Sequence, residues 1–328
     1  MKLNDLKPRL VVVTGAGAGI GRVTAARFAN MGAHVIVSDI DLSAAEETVA
    51  KIRGRGCRAT AAQLDVTDPR GWELLARDVL AEHGVVDVLV NNAGILITGP
   101  FLETEPADWD RILGINLMGV VHGCRVFGAQ MIERGQGGHI VNIASAAAFT
   151  PTPVFASYSV SKAGVKMLTE CLRLEFGAKG IGVSAVCPGV INTTIALNSK
   201  NVGVDEDLVD RGKQIAWQLQ KLQQRFAEMP FAPMSPNLVA RAATRAVRLD
   251  LAIVPVRSEA WLGYFLSRLA PGLNRRITQA LSIERAEKLA VWALDKVGSS
   301  RLLERFGSTA PPAPGMSPGQ TPVLSGSK

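Results

Sequence analysis

The chain is poor in the residues that cross-link or metallate a protein. Four cysteines and four histidines are scattered through 328 residues, with no Cys-x-x-Cys pair and no histidines at ligand spacing. That scatter excludes a disulfide framework and a metal site, and predicts free thiols at Cys57, Cys124, Cys171 and Cys187 in a reducing, cytoplasmic setting. No uninterrupted apolar run approaches ~18 residues, so no membrane-spanning segment is expected. Met1 to Pro8 carries charge and leads straight into an apolar run, so no secretory leader is expected either. Acidic residues are scarce at one end only. Between Arg241 and Arg305 twelve basic residues face six acidic ones, which holds most of the net charge of +7. The rest is close to neutral, which argues against a nucleic-acid partner and for a basic C-terminal surface.

Aromatics are only 5% of the chain, against 47% apolar residues overall. This Ala/Val/Ile/Leu/Gly-rich composition suits buried parallel strands flanked by helices. The length allows two domains or one α/β domain with extensions. Arg9 to Val13 reads as a buried strand and opens into Thr14-Gly15-Ala16-Gly17-Ala18-Gly19-Ile20-Gly21, followed by a helical stretch from Arg22 to Met31. A glycine loop between strand and helix aims backbone N–H groups at a pyrophosphate, although the same glycines can make a simple turn. A second strand, His34 to Ser38, ends at Asp39. That residue is placed to accept hydrogen bonds from an adenosine ribose and to repel a 2′-phosphate, or else to cap the helix that follows from Ala44 to Arg53. Arg22 offers the opposing possibility of a phosphate contact.

The αβ alternation continues. A third strand runs to Leu64-Asp65-Val66, a helix covers Trp72 to Glu82, and a fourth strand, Val86 to Val90, ends in Asn91-Asn92-Ala93-Gly94. Asp108 to Gly128 reads as one long helix with Asn116 in its interior, where an asparagine either faces solvent or serves a purpose. A fifth strand, His139 to Ile143, delivers Ser145 at its carboxyl end. The sixth is Gly182 to Cys187, and Ala252 to Val256 is a seventh whose proline marks an edge. Between the fifth and sixth lies Tyr158-Ser159-Val160-Ser161-Lys162. A tyrosine and a lysine four apart share a helix face, and a nearby ammonium favours the phenolate. Tyr158 is thus the candidate general acid/base and Lys162 the group that tunes it.

In order and spacing, Thr14 to Gly21, Asp39, Asp65-Val66, Asn91 to Gly94, Asn116, Ser145, Tyr158 with Lys162, and Pro188-Gly189 with Thr193 resemble the short-chain dehydrogenase/reductase family over roughly residues 5 to 195. The resemblance implies a doubly wound (Rossmann) parallel sheet of about seven strands with helices on both faces, and a nicotinamide cofactor across its carboxyl edge. It implies cofactor binding by Gly15, Gly17, Gly19, Ile20, Gly21 and Asp39, with Asp65 and Val66 flanking the adenine and Asn92 near a ribose. Ile191 and Thr193 would meet the nicotinamide carboxamide. It gives Tyr158 the proton transfer, Lys162 the tyrosine pKa and the nicotinamide ribose, Ser145 the substrate oxygen, and Asn116 a water that relays protons from Lys162.

The chain departs from that pattern after the seventh strand, where some seventy residues replace the short ending of many relatives. The expected organisation is a Rossmann-type catalytic domain over 1–256 with a substrate loop or lid at 194–236. A helical extension follows over 257–306, with helices at Trp261 to Ala270 and Ile277 to Phe306, then a disordered tail over 307–328. The extension either caps the fold or lies on a membrane surface. The expected function is oxidation of a secondary alcohol or reduction of a ketone on a hydrophobic, steroid- or lipid-like substrate, with NAD preferred to NADP. The expected assembly is a homodimer through the helices around Asn116 and Tyr158. The alternative is a non-catalytic NAD-binding sensor or scaffold on the same fold.

Overall fold

Runs of valine and isoleucine bounded by glycine, asparagine and aspartate set the strands of the computed structural model, which describes residues 8–189, 200–202 and 235–280. Seven of them, β1 (Leu10–Thr14), β2 (His34–Asp39), β3 (Ala59–Gln63), β4 (Val88–Asn91), β6 (Gly138–Ile143), β7 (Ile181–Pro188) and β9 (Ile253–Val256), form one parallel sheet in the order β3-β2-β1-β4-β6-β7-β9. Side chains alternate across it. Val11 and Val13 pack on one face with Phe28, Val49 and Val247, while Leu10 and Val12 pack on the other with Trp72, Phe127 and Val165. The first face is covered by α1 (Gly19–Asn30), α2 (Leu42–Arg53) and α7 (Pro236–Leu249). The second is covered by α3 (Pro69–His83), α5 (Gly119–Arg134) and α6 (Ala156–Gly177). This is the expected doubly wound architecture.

Several boundaries differ from the sequence reading, each for a local reason. The third strand stops at Gln63, and Leu64 to Val66 lie beyond it, with Leu64 N donating to Asp39 O. The cap of α2 is Asp41, whose carboxylate accepts from Ala44 N; Asp39 is left for other work. The long helix is three pieces: α4 (Pro106–Leu113), a π-helical turn (Gly114–Met118) that holds Asn116, and α5. Together they span Pro106–Arg134 and are long and apolar enough to cross a membrane, which uninterrupted apolar runs did not reveal. Here the rod lies on the sheet with Phe127 and Met131 wholly buried. Helix α7 went unrecognised although its start is well marked. The Ser235 hydroxyl accepts from Asn237 N, Pro236 occupies the first helical position, and Val239, Ala240, Ala243 and Val247 repeat on one face.

After β9 come α8 (Ser258–Leu269) and α9 (Pro271–Ala280). Pro271 begins α9 at its first position, six residues ahead of the expected start at Ile277. Two further two-residue strands, β5 (Ile97–Thr98) and β8 (Lys200–Asn201), pair in parallel. Their register is held by Thr98 Oγ1 donating to Asn201 Oδ1 at 2.7 Å and by Lys200 Nζ on the buried Asp108 at 2.7 Å. Ile191, Thr193, most of the substrate loop, the remainder of the 257–306 extension and the tail lie outside the described residues.

Trp72 couples this core to the carboxyl edge of the sheet. It is wholly buried, meets Phe127 edge-on at 6.2 Å, and its indole N–H donates to Val66 O at 3.0 Å. Replacing Trp72 by Ala should cost about 3–5 kcal/mol of stability, read as a lower urea midpoint with an unchanged slope.

Candidate active site

The strand order reverses between β1 and β4, so the loops leaving those strands part and open a crevice at their carboxyl ends. A cleft of about 420 Å³ occupies that place. One end is lined by Gly15, Gly19, Ile20, Asp39, Asp65 and Val66, the other by Ser145, Tyr158, Lys162 and Gly189, with Asn92 to Gly94 between them.

At the first end the glycines are required by close approach. Gly15 has φ +59°, and an added Cβ would sit 2.8 Å from Ala93 Cα. Gly17 lies under Asp39, whose Oδ2 accepts from Gly17 N at 2.8 Å while Oδ1 accepts from Asp41 N at 3.1 Å. A carboxylate can take about four hydrogen bonds, so Asp39 keeps capacity toward the cleft. Gly21 packs on the Gly15 carbonyl with no room for a Cβ. Helix α1 starts at Gly19, and Ala18 before it supplies no side-chain cap, so the first-turn N–H groups face the cleft without such a partner. A cradle of close-packed glycines, an uncapped helix N-terminus and an acceptor carboxylate fit a dinucleotide pyrophosphate and ribose. Arg22 is engaged elsewhere. Its guanidinium bonds Gly17 O, Thr48 Oγ1 and Glu47, fastening the loop to α2.

Asn92 and Asp65 do more local work than the resemblance implied. Asn92 Nδ2 donates to Thr14 O at 2.8 Å and Gly15 O at 3.0 Å, tying the end of β4 to the glycine loop. Thr14 completes the tie, its Oγ1 accepting from Asn92 N and Ala93 N. Its place at the last position of a strand before a glycine loop is the signal that could have marked it. Asp65 is exposed and accepts from Thr67, while Val66 beside it is buried.

At the second end Ser145 leaves β6 and caps a 3-10 turn (Ala146–Ala148), its Oγ accepting from Ala147 N at 3.2 Å. Tyr158 and Lys162 come from the first turns of α6. Tyr158 is half-buried and lines the cleft together with Ser145, whose hydroxyl acts on its phenol. Burial pushes the Tyr158 pKa up from its ordinary value, and the Ser145 hydroxyl pulls it back. Lys162 is not among the groups that shift it here. Lys162 Nζ is 5.9 Å from the Tyr158 ring centroid and donates to Ile143 O at 3.0 Å. Its own pKa is lowered to about 8 by burial, so its ammonium is weakly held there.

Asn116 is wholly buried. Its Oδ1 accepts from Ile95 N at 2.8 Å, and its Nδ2 donates to Ile95 O at 3.0 Å and Ser161 Oγ at 3.1 Å. Ser161 Oγ donates in turn to Tyr158 O. In this arrangement the side-chain amide joins the β4–β5 loop to the tyrosine helix, with both donors occupied; the expected water relay finds no free side-chain donor here. Ser161, between the tyrosine and the lysine in sequence, was not singled out.

A doubly wound sheet with a glycine cradle at its switch point and a Ser–Tyr–Lys group across the cleft fits the dinucleotide-binding class of α/β folds. Comparison with known proteins agrees. The family model of the short chain dehydrogenases matches residues 9–202, and the chain belongs to that family. It is 45% identical over 264 residues to the probable oxidoreductase EphD of Mycobacterium tuberculosis, a match taking in 80% of this chain and 43% of that protein. The chain thus spans under half the length of these mycobacterial relatives. It is 40% identical over 193 residues to 3beta-hydroxysteroid dehydrogenase 1 of Eggerthella lenta, covering 58% of this chain and 74% of that one. Among solved structures, a short chain dehydrogenase/reductase from Burkholderia phymatum in complex with NAD superposes with a TM-score of 0.66 at 28% identity, over 80% of this chain and 93% of that one.

Replacing Gly21 by Ala should force the loop away from the Gly15 carbonyl. NADH affinity, followed by fluorescence titration, should fall by about tenfold or more while the far-UV spectrum is kept.

Proposed function

We propose that the protein is an NAD(H)-dependent oxidoreductase that interconverts a secondary alcohol and a ketone on a hydrophobic, steroid- or lipid-like substrate. The observation that carries this reading is the convergence of Ser145, Tyr158 and Lys162 on one end of a cleft whose other end is the glycine cradle. When bound, the nicotinamide supplies or accepts the hydride. Ser145 holds the substrate oxygen beside the tyrosine and stabilises charge developing on it. Tyr158 gives that oxygen a proton in reduction and removes it in oxidation. Lys162 holds the inner end of the proton path and would bond the nicotinamide ribose, and the family resemblance assigns the carboxamide to Ile191 and Thr193. The preference for NAD rests on Asp39, whose charge opposes a 2′-phosphate, and on Arg22 being committed to Glu47. The hydrophobic substrate is supported by Ile95, Leu96 and Ile115 along the cleft and by the steroid dehydrogenase among the relatives.

Replacing Tyr158 by Phe should lower turnover by about 10²–10⁴-fold and leave NADH affinity intact. Wild-type turnover in that variant would remove the acid/base role. Oxidation needs a proton acceptor, so its kcat/KM should climb with pH from about 8, where Lys162 releases its proton, and ketone reduction should fall over the same range. A flat profile in both directions would count against the pair. With Asp39→Ala, the ratio of kcat/KM for NADP to that for NAD should rise by about tenfold or more. A wild-type enzyme faster with NADP would refute the assignment.

We place the protein in the cytoplasm, peripheral to a membrane, and as a homodimer. Free Cys57 and Cys171 at partly or fully exposed positions are compatible with a reducing compartment. Met118, Val160 and Met167, exposed on and beside the helices that hold Asn116 and Tyr158, support the dimer, and a sedimentation mass of one chain would argue against it. The outer face of α8 and α9 exposes Trp261, Leu262, Phe265, Leu269, Leu273 and Ile277 beside Arg275 and Arg276. Apolar side chains with neighbouring arginines suit an anionic bilayer surface. Wild-type protein should co-sediment with anionic liposomes, and Leu262→Ser with Leu269→Ser should weaken that binding without lowering activity on a water-soluble alcohol. No sedimentation with wild type would end the membrane reading.

A further inference from the structure

The outward face of α8 is only half of that helix. Its other face touches the substrate end of the cleft. The chain leaves β9 and enters α8 through Arg257, whose φ of 82° is a strained value for a residue with a side chain, and the turn carries an ion pair from Arg257 Nε to Glu259 Oε1 at 2.7 Å. The Glu259 carboxylate packs on Gly189, in the cleft wall, and would have to shift to admit a Cβ there. One turn further, Gly263 lies on Thr150, where an added Cβ would be 2.8 Å from Thr150 Oγ1. Tyr264 sets its ring edge against the buried Phe149, with centroids 5.3 Å apart and planes at 71°. From α9, the buried Asn274 Nδ2 reaches Phe149 O at 3.4 Å.

Phe149 is the far end of the 3-10 turn whose near end is Ser145. A turn of three residues has little slack, so what fixes Phe149 also fixes the Ser145 hydroxyl. Tyr264 is fixed in its own right. The Arg268 guanidinium lies 4.9 Å over its ring and bonds Glu170 Oε1 at 2.8 Å. Glu170 stands on α6, the helix that carries Tyr158 and Lys162. The contacts therefore close a circuit: Ser145 to Phe149 through the turn, Phe149 to Tyr264, Tyr264 to Arg268, Arg268 to Glu170, and Glu170 along α6 back to Tyr158.

We infer that Tyr264 is a positioning residue for the reaction: through Phe149 and Arg268 it sets the spacing between the Ser145 and Tyr158 hydroxyls, so α8 is part of the catalytic apparatus as well as of the outer surface. This rests on the reading of Ser145 and Tyr158 as the reacting pair. Tyr264 is not part of the cleft lining among the described residues, so its action runs through Phe149 and Arg268.

The chain contains two tyrosines, Tyr158 and Tyr264. Tyr264→Phe and Tyr264→Ala each leave Tyr158 as the sole phenol, and its ionisation can be followed directly by phenolate absorbance, with circular dichroism marking the pH range in which the fold persists. Among the described residues, the groups facing that phenol are Lys162 on its own helix and Ser145 on the turn, with Cys187 of β7 beside Lys162. Tyr264→Phe keeps the ring edge on Phe149 and should retain turnover. In Tyr264→Ala the Ser145 hydrogen bond loosens, so Tyr158 should ionise about half a unit or more higher than in Tyr264→Phe. The kcat should fall by about tenfold or more with NADH affinity unchanged. Equal Tyr158 ionisation in the two folded variants overturns the proposal, and so does a loss of kcat and NADH affinity in parallel. If Tyr264→Ala does not fold, Arg268→Gln in the Tyr264→Phe background cuts the tie to Glu170 and should shift Tyr158 in the same direction; no shift overturns the proposal. The titration needs no substrate. Absence of alcohol or ketone turnover by wild-type protein would therefore defeat the oxidoreductase reading while the positioning of Tyr158 is still decided.

Discussion

Parallel strands buried on both faces must all run out on the same side, and the order of this sheet reverses between β1 and β4. Those two facts place the ends of β1, β2, β4, β6 and β7 around one crevice. Asp39 ends its strand, and the glycine loop, Asn92, Ser145 and Gly189 each follow theirs by one or two residues, so the sheet assembles them without any of them being close in sequence. The loops are then pinned to one another through backbone groups. Thr14 and Asn92 join β1 to β4, Asp39 joins β2 to the glycine loop, and Asn116 joins the π turn to both Ile95 and the tyrosine helix. Removing any one of them leaves buried peptide groups without partners, which is costly in a low-dielectric interior.

Burial governs the chemistry at the other end of the cleft. It raises the Tyr158 pKa and lowers that of Lys162 to about 8, so both groups are pushed toward their neutral forms and the phenolate depends on a hydrogen bond or an added charge that favours it. Ser145 provides one such bond. The position of its hydroxyl is therefore a chemical variable, and the packing of α8 on Phe149 acts on it from outside the catalytic residues. The same helix carries an apolar outer face, so a surface contact and the geometry of the active site share one element.

The sheet was legible because buried parallel strands write themselves as unbroken Val/Ile runs: Arg9 to Val13, His34 to Ser38 and His139 to Ile143 were each recovered within a residue or so. Helix α7 was overlooked because its seven alanines and arginines look like solvent-facing composition until their spacing is laid on a helix, where Val239, Ala243 and Val247 line up. The π turn at Gly114–Met118 has no sequence signature of its own. It exists because Asn116 must reach Ile95 and Ser161 at once, a requirement set by two other elements.

Residue type and spacing alone determined the strand–glycine loop–helix unit, the acidic end of the second strand, the pairing of Tyr158 with Lys162 on one helix face, and the arrival of Ser145 at a strand end. These are properties of local chain geometry, repeated every two residues in a strand and every 3.6 in a helix. Only the tertiary structure decided that Arg22 serves Glu47 and Thr48, that Asn92 and Asn116 are occupied in binding backbone, that burial raises the Tyr158 pKa against the pull of Ser145, and that Tyr264 braces the turn of Ser145. Each of these depends on desolvation or on a contact between residues far apart in the chain, such as the 119 positions that separate Ser145 from Tyr264, and neither burial nor long-range contact has a period that a sequence can display.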